Sequence, residues 1–182
     1  MREPRTPYEG STGPLANDLI TAAWESNGFV IEIGIANGTG STMMFQEALE
    51  EHPNPLHISV EGELEWLSRP DVVVPKSAYW RLVCGDSRDE STLLKVVQHA
   101  DGRHPGVIFI DTDHNYDQMQ AELRLWGKIA DHQTTWLMHD TWMFGPEHVE
   151  MNRAIKEYAA EFGWVYDDLR TDSHGLGRLR HV

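Results

Sequence analysis

The chain has 182 residues, 40% of them hydrophobic and 24% charged, a composition typical of a globular domain and unlike that of a disordered segment. Its net charge of −14 argues against a nucleic-acid partner, and no apolar run reaches the roughly 18 residues that would cross a bilayer. The single cysteine, Cys84, excludes an internal disulfide framework, and the polar first residues lack the apolar core of a signal peptide, so we expect a cytoplasmic protein.

Residues 1–14 are rich in proline, glycine, serine and threonine, which predicts a flexible arm on a single domain that spans the chain. Apolar residues at helical spacing predict a short helix over 15–25, and an apolar run predicts the first strand over 29–33. This strand leads through a glycine-rich turn into a helix over 41–51, and the stretch from 29 to 42 is F-V-I-E-I-G-I-A-N-G-T-G-S-T. Many α/β proteins hold an adenine-containing cofactor with a strand, a glycine-rich turn and a helix in this order.

The alternation of strand and helix continues along the chain. Further strands are predicted over 57–60, 79–83, 107–110 and 135–138, and helices from a capping box at residues 87–90, over 115–130 and up to 162. Two last strands, over 164–169 and 176–181, flank a turn. The order predicts an α/β fold: a doubly wound, Rossmann-like sheet of seven strands, five of them parallel, with a C-terminal antiparallel pair.

Acidic residues recur at the carboxyl ends of the predicted parallel strands. The five acids, in strand order, are Glu32, Glu61, Asp86, Asp111 and Asp140. Any one of them alone is more simply a helix cap or a solvated loop acid. Because ligands of such sheets bind beyond the carboxyl ends of the strands, five acids at matching positions favour a binding site there.

The spacing of the glycines separates two classes of cofactor. A dinucleotide fold has G-x-G-x-x-G, whereas here Gly34, Gly38 and Gly40 follow an acid, Glu32, two residues before the first glycine. The pattern E-x-G-x-x-x-G fits a cofactor without phosphate and with a charged amino-acid end. The glycines would let the backbone approach this ligand, and Glu32 would organise its ammonium group directly or through water.

Two further strand ends complete the predicted cofactor site. Glu61 is placed to accept hydrogen bonds from two ribose hydroxyls, and Asp86 with Ser87 is placed at the adenine edge. We therefore expect a nucleoside with an amino-acid tail rather than a dinucleotide.

Four motifs occur in order: E-I-G-I-A-N-G-T-G-S-T, V-C-G-D-S, I-F-I-D-T-D-H-N-Y and L-M-H-D-T-W. Together they resemble the motifs of class I S-adenosylmethionine-dependent methyltransferases. The last two resemble the strand-four and strand-five motifs of the metal-dependent small-molecule O-methyltransferases, of the sugar and catechol type. The resemblance extends from about Leu15 to the final strand pair.

The resemblance implies roles for individual residues. The implied S-adenosylmethionine-binding residues are Glu32, Gly34, Gly38, Gly40, Ser41, Thr42, Glu61, Gly85, Asp86, Ser87 and Asp111. The implied ligands of a divalent metal, Mg or Mn, are Asp111, His139 and Asp140. The implied catalytic residues are His114 and His139.

His139 departs from the family pattern, which has Asp at this position. Magnesium prefers oxygen ligands, so a histidine ligand would favour manganese, iron, nickel or zinc. Three alternatives are open at this point: the metal is not magnesium, His139 is not a ligand and instead lies behind the ligands or faces the substrate, or no metal binds.

His114 falls where relatives carry a Lys or His that can act as a base near the acceptor hydroxyl. A neutral imidazole can take a proton near neutral pH. Equally, His114 could cap the following helix or pair with Asp113. His174, in the last turn, is a second candidate for the base.

We therefore predict an S-adenosylmethionine-dependent O-methyltransferase that acts on a hydroxyl of a small molecule, such as a natural-product sugar or a catechol. The chain has no large insertion to enclose an acceptor, so a homodimer is predicted. Two rival hypotheses are a non-catalytic cofactor-binding partner subunit and an enzyme of the same fold that uses the metal and cofactor pocket for a non-methylation reaction such as hydroxylation.

Overall fold

A computed structural model describes residues 13–62, 65, 68–143, 150–172 and 174–181. After a 3-10 turn at Gly13–Leu15, the helices are α1 (Ala16–Glu25), α2 (Ser41–Leu49), α3 (Glu90–Ala100), α4 (Tyr116–Trp126) and α5 (Glu150–Phe162). The strands are β1 (Phe29–Ile33), β2 (His57–Glu61), β3 (Trp80–Cys84), β4 (Pro105–Ile110), β5 (Thr135–His139), β6 (Val165–Arg170) and β7 (Leu176–Arg180). Most of the predicted N-terminal arm, residues 1–12, lies outside the described residues.

The seven strands form one sheet in the order β3-β2-β1-β4-β5-β7-β6. The first five strands pair in parallel, and β7 runs antiparallel to both β5 and β6. This topology confirms the predicted fold. The chain reverses its direction of travel across the sheet between β1 and β4, which is where ligands bind in open α/β sheets.

Helices cover both faces of the sheet, so the central strands are apolar on both sides. Along β1, Ile31 and Ile33 face a core formed with α3, α4 and α5, while Val30 faces a second core formed with α1 and α2. In β4, Ile108 faces the first core and Phe109 the second. Successive side chains of a strand point to opposite faces, and burial on both faces explains the unbroken apolar runs.

The capping box predicted at residues 87–90 is wrong. Helix α3 begins at Glu90 after Asp89, whose side chain makes no capping hydrogen bond. Ser87 instead donates its hydroxyl hydrogen to Glu122, 2.5 Å away in α4. A buried carboxylate competes for this hydroxyl, which a local sequence pattern cannot reveal.

Other boundaries shift by a few residues. Strand β3 lies one residue later than predicted, and α4 ends at Trp126, with Gly127 as its C-cap, rather than at residue 130. None of the helices in the described ranges has the length and apolar character that crossing a membrane requires.

The turn after β1 contacts the turn after β4. The backbone N–H of Asp111 donates to the carbonyl of Ile33 at 2.8 Å, and Gly34 has a positive φ of 85°. A Cβ atom added at Gly34 would lie 2.0 Å from the carbonyl oxygen of Asp111. Only glycine fits here, because any side chain would drive the two loops apart.

We expect Gly34→Ala to lower the free energy of unfolding by at least about 2 kcal/mol, because it adds both the clash and left-handed backbone strain. Gly62→Ala is the matched control, since a Cβ there would meet no heavy atom within 4 Å. Urea denaturation of the two variants and the wild type measures the difference. Equal stability of the two variants would refute this account of the turn.

Candidate functional site

A pocket of about 500 Å³ opens at the carboxyl ends of β1 to β4. Six of the predicted cofactor residues line it: Gly34, Glu61, Gly85, Asp86, Ser87 and Asp111. Parallel strands end at the same edge of the sheet, which is why residues up to 77 positions apart in the chain meet there. A second cavity, of about 350 Å³, lies near the opposite edge between α1 and the start of β5, and contains none of the predicted residues.

Polar residues that the sequence did not single out also line the pocket. They are Arg88, Thr112, Asp113 and Gln118. Three of them lie in loops, and Gln118 lies in the first turn of α4. In the sequence, these residues differ from other polar residues only because they lie next to a predicted acid or near a helix start. Many surface residues share that property.

The carboxylate of Glu61 is held against the backbone at the mouth of the pocket. It accepts hydrogen bonds from the backbone N–H of Gly62 at 2.8 Å and of Ile35 at 3.4 Å. The second bond ties the end of β2 to the glycine-rich turn. The carboxylate therefore has a fixed position from which it can accept hydrogen bonds from a ligand.

Asp86 and Arg88 form a closed pair on the neighbouring wall. The guanidinium of Arg88 donates to both carboxylate oxygens, at 2.6 and 2.9 Å. These side-chain hydrogen bonds hold the pKa of Asp86 at about 2. Asp86 is therefore negatively charged at neutral pH, and its capacity to accept hydrogen bonds is largely taken up by Arg88.

Glu32 lies beneath the pocket rather than on its wall. Its side chain is fully buried and accepts hydrogen bonds from Ser41 at 2.6 Å, Thr42 at 3.0 Å and Ser59 at 2.9 Å. The Nε2 atom of His57 lies 3.1 Å from Oε2 of Glu32, the oxygen that also accepts from Ser59. Glu32 therefore anchors the start of α2 under the turn, and its oxygens are occupied by the protein itself.

The remaining predicted cofactor residues also stand back from the pocket. Ser41 and Thr42 are buried against Glu32, and Gly40 precedes them as the N-cap of α2. Gly38 packs against the segment before β3, since a Cβ there would lie 2.2 Å from the carbonyl oxygen of Val73. These residues shape the turn, and the structure brings only Gly34 of the turn glycines to the pocket wall.

Beside the pocket, acids and histidines form a cluster at the ends of β4 and β5. The Nδ1 atom of His139 lies 3.1 Å from Asp111 and 3.3 Å from Asp140. His114 Nε2 lies 2.5 Å from Oδ2 of Asp140, and His174 Nδ1 lies 3.2 Å from Oδ1. The cluster therefore contains all the predicted metal and catalytic residues, together with His174.

Asp140 is the centre of this cluster. Asp140 is buried. Its φ of 59° is a left-handed conformation, which a non-glycine residue adopts at a cost of about 1–2 kcal/mol. The loop is held in place because the N–H of Trp142 donates to the carbonyl of His174 at 2.6 Å. Backbone strain held by the surrounding structure is common at functional sites.

The charges of the cluster stabilise one another. Burial lowers the pKa of His139, but hydrogen bonds and charges from Asp111 and Asp140 outweigh it and raise the pKa to about 9. Burial raises the pKa of Asp140, yet hydrogen bonds from His114 and His139 lower it overall. The hydrogen bond to Asp140 raises the pKa of His114. At neutral pH, the imidazole of His139 is therefore in its positively charged form, between two carboxylates.

The cluster also has the geometry of a cation site. Ligand atoms of Asp111, His139 and Asp140 all lie within 4.8 Å of one another. Oδ1 of Asp140 is buried, and although Nδ1 of His174 lies 3.2 Å away, Oδ1 accepts no hydrogen bond of good geometry within the described part of the chain. A buried carboxylate oxygen that accepts no hydrogen bond can still meet a cation, so these three residues fit a bound divalent metal.

Comparison with known proteins gives one family match and many similar folds. A family model described as "Methyltransferase domain" matches residues 31–141, which is more than half of the chain. A search of curated protein sequences finds no match.

Three solved structures illustrate the similarity of fold. CalS11, a TDP-rhamnose 3'-O-methyltransferase of calicheamicin biosynthesis, is 14% identical, with a TM-score of 0.67 and coverage of 92% of this chain and 77% of its own. The O-methyltransferase TomG from Streptomyces achromogenes, in complex with SAM, is 15% identical, with a TM-score of 0.63 and coverage of 93% and 81%. MycE, with Mg, SAH and mycinamycin VI, is 11% identical, with a TM-score of 0.60 and coverage of 92% and 48%.

We expect the ring protons of His139 to titrate with a midpoint near pH 9 in an NMR experiment without metal. Asp111→Asn should lower the midpoint, because it removes one carboxylate charge and a hydrogen-bond acceptor. Asp113→Asn is the control, since Asp113 belongs to the same loop but is not among the groups that shift His139. A wild-type midpoint near the ordinary value of about 6.5 would contradict the charge arrangement described here.

Proposed function

Because the chain belongs to the methyltransferase-domain family, which confirms the resemblance found in its motifs, we propose that it transfers a methyl group from S-adenosylmethionine to a hydroxyl oxygen of a small molecule. The observation that carries this proposal is the position of Asp111. Its side chain lines the pocket and also belongs to the acid and histidine cluster. A ligand in the pocket therefore ends next to groups that can bind and deprotonate an acceptor.

The pocket suits S-adenosylmethionine in size and in polarity. Its volume of about 500 Å³ is in the range of small-molecule sites. Glu61 can accept hydrogen bonds from two ribose hydroxyls, and Gly34 gives the amino-acid tail access to the backbone. The solved structures of TomG and MycE hold SAM and SAH, respectively.

The proposed reaction is an in-line displacement. The acceptor oxygen forms a bond to the methyl carbon as the bond between that carbon and the sulfonium sulfur breaks, giving a methyl ether and S-adenosylhomocysteine. The hydroxyl proton passes to Nδ1 of His114, whose Nε2 is held by Asp140. Most of the rate enhancement of such a transfer comes from holding the two reactants in line.

We propose that Asp111, His139 and Asp140 hold a divalent metal, and MycE with its Mg offers a precedent in the same fold. Two carboxylates and an imidazole suit Mn²⁺ or another transition metal better than Mg²⁺, which prefers oxygen ligands throughout. A metal here would lower the pKa of the acceptor hydroxyl and orient its oxygen.

A sugar or catechol hydroxyl remains the proposed acceptor, and CalS11 acts on a sugar nucleotide. The cluster stands open beside the pocket, since His114 and His174 are exposed residues. We propose that the chain forms a homodimer in which the second subunit covers this cluster.

The function is tested by separating cofactor binding from turnover. Glu61→Ala should weaken S-adenosylhomocysteine binding by about tenfold or more in calorimetry, because it removes the ribose acceptor. His114→Ala should leave that binding unchanged and lower kcat by about 10²-fold or more on any acceptor of a catechol and sugar panel. His99→Ala, on the exposed side of α3, is the control for both measurements.

If the wild type binds the cofactor but methylates no acceptor, the chain is a binding partner rather than an enzyme. If a hydroxylated product appears instead, the hydroxylase hypothesis replaces this one. Loss of turnover without loss of binding in His114→Ala supports methyl transfer.

Metal binding should depend on pH in a defined direction. A metal ligand must be unprotonated, and the pKa of His139 is raised to about 9, so Mn²⁺ affinity should increase as the pH rises from 7 towards 9. His139→Ala should weaken Mn²⁺ binding at pH 8 by about tenfold or more, while Asp113→Asn should not change it. Electron paramagnetic resonance of Mn²⁺ measures both effects. If the wild type, His139→Ala and Asp113→Asn bind Mn²⁺ with equal affinity, the cluster is not a metal site.

A further inference from the structure

A buried carboxylate on α4 lies directly behind the pocket wall, and the reaction proposed above does not use it. The side chain of Glu122 is fully buried. Its Oε1 accepts hydrogen bonds from Ser87 Oγ at 2.5 Å and from Gln118 Nε2 at 2.7 Å, and its Oε2 accepts from Thr112 Oγ1 at 2.8 Å. Burial raises the pKa of Glu122, and these hydrogen bonds oppose the rise.

The three donors come from three separate parts of the pocket wall. Ser87 follows β3, Thr112 follows β4, and Gln118 lies in the first turn of α4, and all three line the pocket. One turn along the helix from Glu122, the indole N–H of Trp126 donates to the carbonyl of Ser87 at 2.9 Å. A single helix face thus fixes the wall between β3 and β4.

The hydrogen bonds of Gln118 determine which of its atoms faces a ligand. Its Nε2 donates to Glu122 and also to Ser87 Oγ at 3.1 Å, which uses both hydrogens of the amide. The Glu122 oxygens accept from the hydroxyls of Ser87 and Thr112 and from Nε2 of Gln118, so the NH₂ end of Gln118 points towards them. The carbonyl oxygen, Oε1, has no partner among the described residues and is left for the pocket.

The base of the nucleoside falls on this wall if the proposed function is correct. The methyl group must face the cluster at Asp111, and Glu61 takes the ribose, so the wall that contains Ser87 and Gln118 is left for the base. The Asp86 carboxylate on this wall is already paired with Arg88, whereas the Gln118 oxygen is open to a ligand that offers a donor.

We propose that the Oε1 atom of Gln118 selects a 6-aminopurine, and that Glu122 is the positioning residue that holds this acceptor towards the pocket. The 6-amino group of adenine can donate to Oε1. The 6-oxo group of hypoxanthine would set one acceptor against another, and a buried polar group left unpaired in this way weakens binding by about tenfold or more. This inference rests on the proposed cofactor and goes beyond it by naming what recognises the base.

The experiment compares two ligands that differ only at this position of the base. Calorimetry gives Kd for S-adenosyl-L-homocysteine and for S-inosyl-L-homocysteine, its 6-oxo counterpart. The wild type should bind the first about tenfold or more tightly than the second. Gln118→Leu removes the acceptor, so the ratio of the two Kd values should fall towards one.

Glu122→Gln tests the positioning role. The new amide can donate as well as accept, so Gln118 can turn and present either end to the pocket, and the ratio should again fall towards one. A merely structural role would weaken both ligands equally and leave the ratio unchanged. Gln120→Leu is the matched control, because Gln120 lies on the same helix, is nearly as buried, and donates to the carbonyl of Ala154 away from the pocket.

The outcomes separate this inference from the function on which it rests. A wild-type ratio near one, or a Gln118→Leu variant that folds and keeps the wild-type ratio, overturns the selection by Gln118 while leaving the methyltransferase proposal intact. Failure of the wild type to bind S-adenosyl-L-homocysteine overturns both. If Gln118→Leu does not fold, the wild-type ratio and the Glu122→Gln ratio decide.

Discussion

The pairing of β1 with β4 is the constraint on which the rest of the site depends. The two strands run parallel in register from Val30 with Val107 to Ile33 with Ile110, and the ladder continues into the N–H of Asp111. This places the glycine-rich turn against the start of the acidic loop with no room for a side chain at Gly34. The pocket and the acid and histidine cluster are adjacent because these two turns touch.

Three buried carboxylates illustrate how the same physical rule produces different roles. Burying a charge is costly unless donors surround it, and each of the three has recruited them. Glu32 and Glu122 are satisfied by hydroxyl and amide groups of neighbouring segments, so they fix the backbone and side chains that surround a ligand. Asp140 is surrounded by imidazoles, and its Oδ1 atom accepts no hydrogen bond of good geometry among the described residues, so this oxygen can still meet a cation.

The positions of the strand-end acids were predictable, whereas their roles were not. Glu61, Asp86 and Asp111 line the pocket, as their places at strand ends suggested. Glu32 ends a strand in the same way but turns into the core, because Ser41, Thr42 and Ser59 offer it three donors there. Gln118 and Glu122 belong to an ordinary amphipathic helix in sequence, and only the packing of α4 behind β3 and β4 reveals their relation to the pocket.

The sequence by itself determined the fold class, the order of the strands and helices, and the edge of the sheet where the strand-end acids meet, because apolar periodicity and strand-end residues are local properties of a chain. The tertiary structure alone decided which acids line the pocket and which are buried, that His114, His139 and His174 meet at Asp140, and that the NH₂ end of Gln118 faces Glu122. These depend on hydrogen bonds between residues as many as 35 positions apart, as between Ser87 and Glu122. Such residues come within hydrogen-bonding distance of one another only after the chain has folded.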